Sequence, residues 1–265
     1  MDWNQILTIS VIQGLTEFLP VSSSAHLALI PTLTGWQDQG MAFDVAVHFG
    51  TLAAVLAYYR VQLWALITAS FSFLKTRTMT ADTWSVVYLL IATLPACMLG
   101  VWLAPAVSQL LRDPKVLATT SVVFGLVLGL SYLKGSQQKS WGQIGVKEAL
   151  CIGLCQAVSL IPGVSRSGIT LSAGLSMGLS IEAAARFSFL LSIPTILGAG
   201  LLTSIKIAQS AAPVAWGPMG AAVVCTSVVA YACIASFVPL LSKIGVWPFV
   251  GYRVLLGIAL WWWLF

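Results

Sequence analysis

Residues 215–241, AWGPMGAAVVCTSVVAYACIASFVPLL, contain no charged side chain. A helix needs about 20 consecutive apolar residues to cross the hydrocarbon of a bilayer, and this run exceeds that. Comparable runs occupy residues 84–104, 116–133 and 247–265, and two more begin at Phe43 and Phe187. The composition agrees: 58% of the 265 residues are hydrophobic and 8% are charged, against about 25% charged in soluble domains. The runs are continuously apolar and do not alternate, which excludes a β-barrel. The sequence predicts an all-α polytopic membrane protein, a single membrane domain over residues 1–265.

The opening MDWNQ is acidic where a cleavable signal peptide would be basic, so none is expected there. Cys151 and Cys155 lie one helical turn apart without a partner pair of Cys or His nearby. They read as small buried residues, not as zinc ligands. The net charge of +5 is assigned to loops, and no nucleic-acid partner is expected.

Two stretches break the apolar pattern: QGLTEFLPVSSSAH, Gln13 to His26, and QAVSLIPGVSRSGIT, Gln156 to Thr170. Sliding the chain along itself lays Gln13 on Gln156, Val21 on Val164, Ser22 on Ser165 and Ser24 on Ser167. One residue further on, Phe43 meets Phe187 and Thr51 meets Thr195 once a single insertion is allowed. Three spanning runs follow the polar stretch in each half, so the chain reads as two repeats, approximately 1–135 and 145–265. In each polar stretch an apolar segment meets a proline (Pro20, Pro162), then serines, then a short apolar return that ends near Pro31 or Gly178. Returns this short cover only part of the roughly 30 Å hydrocarbon core. Both read as re-entrant helix hairpins, because irregular backbone at membrane depth is tolerated only inside protein or beside a cavity.

Three spanning helices is an odd number, so the second half is expected to be inverted. Arg60, Lys75, Arg77, Lys134, Lys139, Lys147 and Lys243 collect on one face, against Arg112, Lys115 and Lys206 on the other. The richer face is expected to be cytoplasmic. Hairpin one then enters from outside and hairpin two from the cytoplasm, and their tips meet near the midplane. Interrupted segments at matching places in two halves point to a binding site.

The residues at the tips suit a phosphorylated ligand. Gln13 and Glu17 share a helix face and can offer hard oxygen ligands to Mg²⁺ or Ca²⁺; the bland alternative is a helix-packing carboxylate. Ser22, Ser23 and Ser24 open one short helix and Ser165, Arg166 and Ser167 open another, where free N–H groups favour anions. Any one of these serines alone reads equally well as a helix cap. Arg166 adds a planar fork for two phosphate oxygens. His26, one turn beyond Ser22, is read as general acid, general base or nucleophile. His48, mid-helix, is read as structural, and Arg186 and Arg253 as snorkelling or structural.

These two stretches resemble the signatures of the bacterial undecaprenyl-pyrophosphate phosphatase family associated with bacitracin resistance. QGLTEFLPVSSSAH is similar to its first motif, a Glu/Gln-x-x-x-Glu pair followed by proline, serines and histidine, and PGVSRSGIT to its second. The resemblance implies a divalent-cation enzyme of the bacterial inner membrane, open to the periplasmic face. Its expected substrate is undecaprenyl pyrophosphate, cleaved to the monophosphate carrier lipid of peptidoglycan synthesis. It implies Gln13 and Glu17 as the cation and pyrophosphate pair, Ser22 and Ser23 as active-site serines, and His26 as the catalytic histidine. It further implies Arg166 as the phosphate-binding arginine, flanked by Ser165 and Ser167, with Ser24 and Thr170 also on the substrate. Many members carry Glu where this chain has Gln13, which shifts cation binding toward Glu17 or the substrate. The expected partners are the lipid substrate and membrane lipid, with a homodimer left open. A secondary transporter or lipid flippase shares the inverted repeat and broken helices and is the competing reading. The unrelated membrane acid-phosphatase superfamily is disfavoured, because SGITLSAGLSMGLS after Arg166 holds neither His nor Asp.

Overall fold

The computed structural model describes residues 2–110, 113–209 and 215–264. Among them the chain forms α1 (Trp3–Thr16), α2 (Ser23–Thr34), α3 (Gly40–Tyr58), α4 (Arg60–Thr76), α5 (Ala81–Leu110) and α6 (Pro114–Lys134). The second half gives α7 (Val146–Val158), α8 (Arg166–Ser176), α9 (Ile181–Gln209), α10 (Trp216–Ile244) and α11 (Trp247–Leu264). Five stretches are long and apolar enough to cross a membrane: α3, Ala81–Gly100 of α5, α6, α9 and α10. The sixth expected run forms α11. Arg112, used in the charge argument, lies outside the described residues.

The polar stretches each fold as two short helices around a break. Helices α1 and α2 have 14 and 12 residues, and α7 and α8 have 13 and 11. At about 1.5 Å per residue none of them covers a 30 Å core. Side-chain caps define helix starts where sequence provides them: Asp2 accepts from the Gln5 N–H and Asp113 from the Lys115 N–H ahead of Pro114.

Two expectations about segments need correction. The return of hairpin one does not stop at Pro31: α2 runs through it and ends at Gly35, whose φ of 71° terminates the helix in the left-handed region. A proline in the last turn of a short helix forfeits one hydrogen bond, and Gly35, not Pro31, supplies the stop. The segment between Arg60 and Arg77, read only as a charged face, forms α4, whose sole buried residue is Leu66.

Packing pairs elements across the two halves. Helices α1 and α3 lie on α10, α7 and α9 lie on α5, α6 lies along α11, and α3 meets α9. Close approach of α3 to α10 depends on Gly50, where an added Cβ would meet the Thr226 side chain at 2.7 Å and the Val223 carbonyl at 2.8 Å. Phe18, in the break of hairpin one, packs edge-on against Phe189 of α9, ring centroids 5.3 Å apart.

Arg253 of α11 joins the two breaks. It is 0% exposed, so it does not snorkel. Its guanidinium donates to the carbonyls of Gly163 (2.8 Å), Val164 (2.9 Å) and Pro20 (3.4 Å) at the two tips. It also donates to Thr120 (3.2 Å) and Ser121 (3.3 Å) of α6. Backbone left without helical partners at membrane depth is thereby satisfied from one side chain. Gly163 makes this turn at φ 82°, a conformation costly for any residue with a Cβ. Arg186 has a separate place, donating to Gln62 at 2.7 Å with its guanidinium 4.5 Å from the Trp141 ring centre.

Candidate active site

The two breaks have matching backbones. Ser22 precedes α2 with φ 73°, ψ 89°, and Ser165 precedes α8 with φ 71°, ψ 110°. A left-handed non-glycine residue costs about 1–3 kcal/mol and persists where surrounding structure imposes it, often at functional sites. Beyond each bend the hydroxyls pair: Ser22 with Ser24, and Ser165 with Ser167, both at 3.2 Å. The helix-cap role holds for Ser165, which accepts from the Gly168 N–H at 3.1 Å. Ser22 makes no such cap bond.

Glu17, the residue that closes α1, stands where the tips meet. Its Oε1 accepts from Arg166 Nη2 at 2.6 Å, a side-chain link between the hairpins. Its Oε2 accepts from the Ser23 hydroxyl at 2.6 Å and from Gln13 Nε2 at 3.0 Å. The i,i+4 spacing of Gln13 and Glu17 brings their side chains together on one face of α1. Gln13 is fully buried, and its Oε1 has no hydrogen-bond partner among the described residues. Arg166 is steadied by its Nη1, which donates to the Ser188 carbonyl at 3.3 Å. Thr170 reinforces that contact: its hydroxyl donates to the Arg166 carbonyl at 2.8 Å and pairs with the Ser188 hydroxyl at 2.7 Å. Ser167 donates to the Leu19 carbonyl at 2.9 Å, pinning α8 to the break of hairpin one.

Of the residues singled out in the sequence, Gln13, Glu17, Ser23 and Arg166 thus form one hydrogen-bonded group, with Thr170 behind the arginine. Ser22 and Ser24 sit at the α2 bend and Ser165 and Ser167 at the α8 bend. His26 stands apart from this group. Its Nδ1 meets the Ser22 carbonyl at 2.7 Å and its Nε2 the Tyr252 hydroxyl of α11 at 2.5 Å. The carbonyl can only accept, so Nδ1 carries the proton and the Tyr252 hydroxyl donates to Nε2.

His48 was not expected here. Its Nε2 lies 3.7 Å from Glu17 Oε2, and its Nδ1 lies 2.6 Å from the Asp44 carbonyl. A cavity of about 360 Å³ is lined by Glu17, His48, Arg166, Asp44, Ser159 and Thr195. A second, mostly apolar cavity of about 500 Å³ between α3, α9 and α10 shares Val45 and Phe49 with it. Ser188, Tyr252 and His48 carried no signal in local sequence, since each arrives from a helix distant from the motifs. Among the described residues no three His, Cys, Asp or Glu side chains converge as a metal cluster.

The family model for the bacitracin resistance protein BacA matches residues 6–259. An undecaprenyl-diphosphatase of Alcanivorax borkumensis is 48% identical over 264 residues, all of both chains. Proteins of the same name from Nitrosococcus oceani and Hahella chejuensis are each 44% identical, the first over 98% of both chains, the second over 100% of this chain and 99% of its own. A match over nearly the whole length, spanning both hairpins, leaves one conclusion: the chain belongs to the BacA bacitracin-resistance family.

Proposed function

We propose that this protein hydrolyses undecaprenyl pyrophosphate to undecaprenyl phosphate and inorganic phosphate, recycling the carrier lipid of peptidoglycan synthesis and conferring bacitracin resistance. The observation that carries the reading is the Glu17–Arg166 contact at 2.6 Å between two helix breaks, beside an apolar cavity. A carboxylate and a guanidinium inside a membrane are costly even when paired, and such residues mark functional sites. The neighbouring 500 Å³ cavity fits the start of a hydrocarbon tail. Relatives at 44–48% identity bear the name of this activity.

The finer architecture belongs to the same proposal. The two halves are an inverted repeat of one re-entrant hairpin and three transmembrane helices, in the bacterial inner membrane. Matching bends at Ser22 and Ser165 and the matching pairs α1 on α10 and α7 on α5 support it. The mouth of the site faces the periplasm, following the loop charges.

In the reaction, water attacks the terminal phosphorus and the bridging P–O bond breaks, releasing inorganic phosphate. Arg166 exchanges Glu17 for two phosphate oxygens through its fork. The Ser22–Ser24 and Ser165–Ser167 hydroxyls and the first N–H groups of α2 and α8 take further oxygens. His26 exchanges the Tyr252 hydroxyl for the reacting group and moves one proton at Nε2. A divalent cation, Mg²⁺ or Ca²⁺, fits the donor set: Glu17 gives one carboxylate, Gln13 a buried amide oxygen with no partner of its own, and the substrate the rest. When bound, it neutralises charge on the pyrophosphate.

A transporter or flippase built on the same repeat would release no phosphate. Purified protein in detergent, given undecaprenyl pyrophosphate, is expected to release inorganic phosphate and to stop in excess EDTA. Absence of release in the presence of cation refutes the hydrolase; full release in EDTA refutes the cation.

A further inference from the structure

His48 Nε2 and Glu17 Oε2 face each other across the site at 3.7 Å. His48 Nδ1 is 2.6 Å from the Asp44 carbonyl, which can only accept, so this nitrogen carries the proton. In the neutral ring Nε2 therefore presents a lone pair, and it does so 3.7 Å from Glu17 Oε2. Arg166 neutralises Glu17 through Oε1, on the other side of the carboxylate, and the Nε2 lone pair and Oε2 are left facing one position that a cation can share. Nearby Gln13, fully buried, keeps an amide oxygen without a partner among the described residues while its nitrogen donates to the same Glu17 oxygen.

We propose that His48 is a ligand, through Nε2, of the divalent cation that Glu17 and Gln13 hold; the inference rests on the hydrolase reading given above. The Nδ1–H to carbonyl bond is the arrangement that fixes a metal-binding imidazole with Nε2 toward the ion. A separation of 3.7 Å between Nε2 and Oε2 is compatible with both touching one cation at roughly 2.1 Å. The ligand also answers a feature of the sequence. Where a second carboxylate is absent and Gln13 stands instead, α3 brings in a nitrogen donor. One carboxylate, one amide oxygen and one imidazole form a softer set than two carboxylates. Imidazole favours transition metals and oxygen-only sites favour Mg²⁺ and Ca²⁺. The site should accordingly prefer Mn²⁺ over Ca²⁺, a preference set by His48.

The test uses the full-length protein in detergent with Mn²⁺ alone as probe. Pulsed paramagnetic resonance of bound Mn²⁺ should show coupling to an imidazole nitrogen. The coupling should vanish in His48→Gln, which keeps a donor within reach of the Asp44 carbonyl. Mn²⁺ affinity should fall roughly tenfold or more in that variant, while Ca²⁺ affinity changes far less. Binding to wild type must be lost in Glu17→Ala, which ties the signal to this site. Nitrogen coupling that survives in His48→Gln, or its absence from wild type, overturns the proposal. So does unchanged Mn²⁺ affinity in the variant. Phosphate release measured on the same samples separates the two readings: release without nitrogen coupling removes His48 from the cation and leaves the hydrolase intact.

Discussion

Arg166 Nη2 donates to Glu17 Oε1 at 2.6 Å across 149 sequence positions, and this bond brings polar residues of the two hairpins into contact. The pair resembles a bound state in miniature. In the proposed reaction a phosphate takes the place that Glu17 holds on Arg166. Both side chains are nearly buried, at 12% and 8% exposure, so removing one partner leaves the other charge unpaired. Such a loss typically costs about 3–5 kcal/mol, and every variant here needs a folding check beside its activity.

The proposed reaction gives proton transfer to His26, whose Nε2 is engaged by Tyr252 in this structure. His26→Ala should lower kcat by roughly 10² to 10⁴ with KM changed only a few-fold. Tyr252→Phe removes the hydroxyl and leaves the imidazole, so its loss should be much smaller. Steady-state kinetics on both variants decide this. Near-normal kcat in His26→Ala makes His26 structural and passes the chemistry to the serines or to water.

Arg253 holds the tips without touching the cavity residues. Arg253→Met keeps most of the volume but strands carbonyls of Pro20, Gly163 and Val164. Each unmet buried acceptor costs about 1–3 kcal/mol, so the thermal midpoint in detergent should drop by many degrees. Arg253→Lys, with three donors for five carbonyls, should lie between. An unchanged midpoint in Arg253→Met would show that water satisfies these carbonyls instead.

Sidedness can be read with single cysteines in a background free of native ones. Asp38 precedes α3 and Gln138 precedes α7, and both are exposed. With the periplasmic mouth proposed above, a cysteine at 38 should react with a membrane-impermeant reagent in cells stripped of the outer membrane. A cysteine at 138 should react only after lysis. The opposite pattern would invert the topology.

How much of this was legible in the sequence follows from where each signal lies. The helix breaks were legible, because Pro20 and Pro162-Gly163 interrupt apolar runs and polar residues follow them. Glu17 and Arg166 stood out because a membrane interior makes charge conspicuous. The direct contact between them, by contrast, needs both hairpins folded. His48 was read as a structural residue because nothing on α3 marks it; its place beside Glu17 follows from the packing of α3 against α1. Arg253 looked like a membrane-end residue, since its partners are backbone carbonyls and carbonyls leave no trace in a sequence. Helix α4 was missed because serines and threonines dilute its apolar pattern and its exposed face buries almost nothing in the protein.

The claim that the two tips act as one catalytic unit is tested most directly by a double-mutant cycle on kcat/KM for Glu17→Gln and Arg166→Lys. Each single change should cost roughly a hundredfold or more, the scale of one key electrostatic group; lysine keeps the charge but loses the fork. Residues that work as a unit are strongly non-additive, so the double variant should be hardly worse than the worse single one. If the two losses instead multiply, to about 10⁴ or beyond, Glu17 and Arg166 act independently and the shared site is refuted.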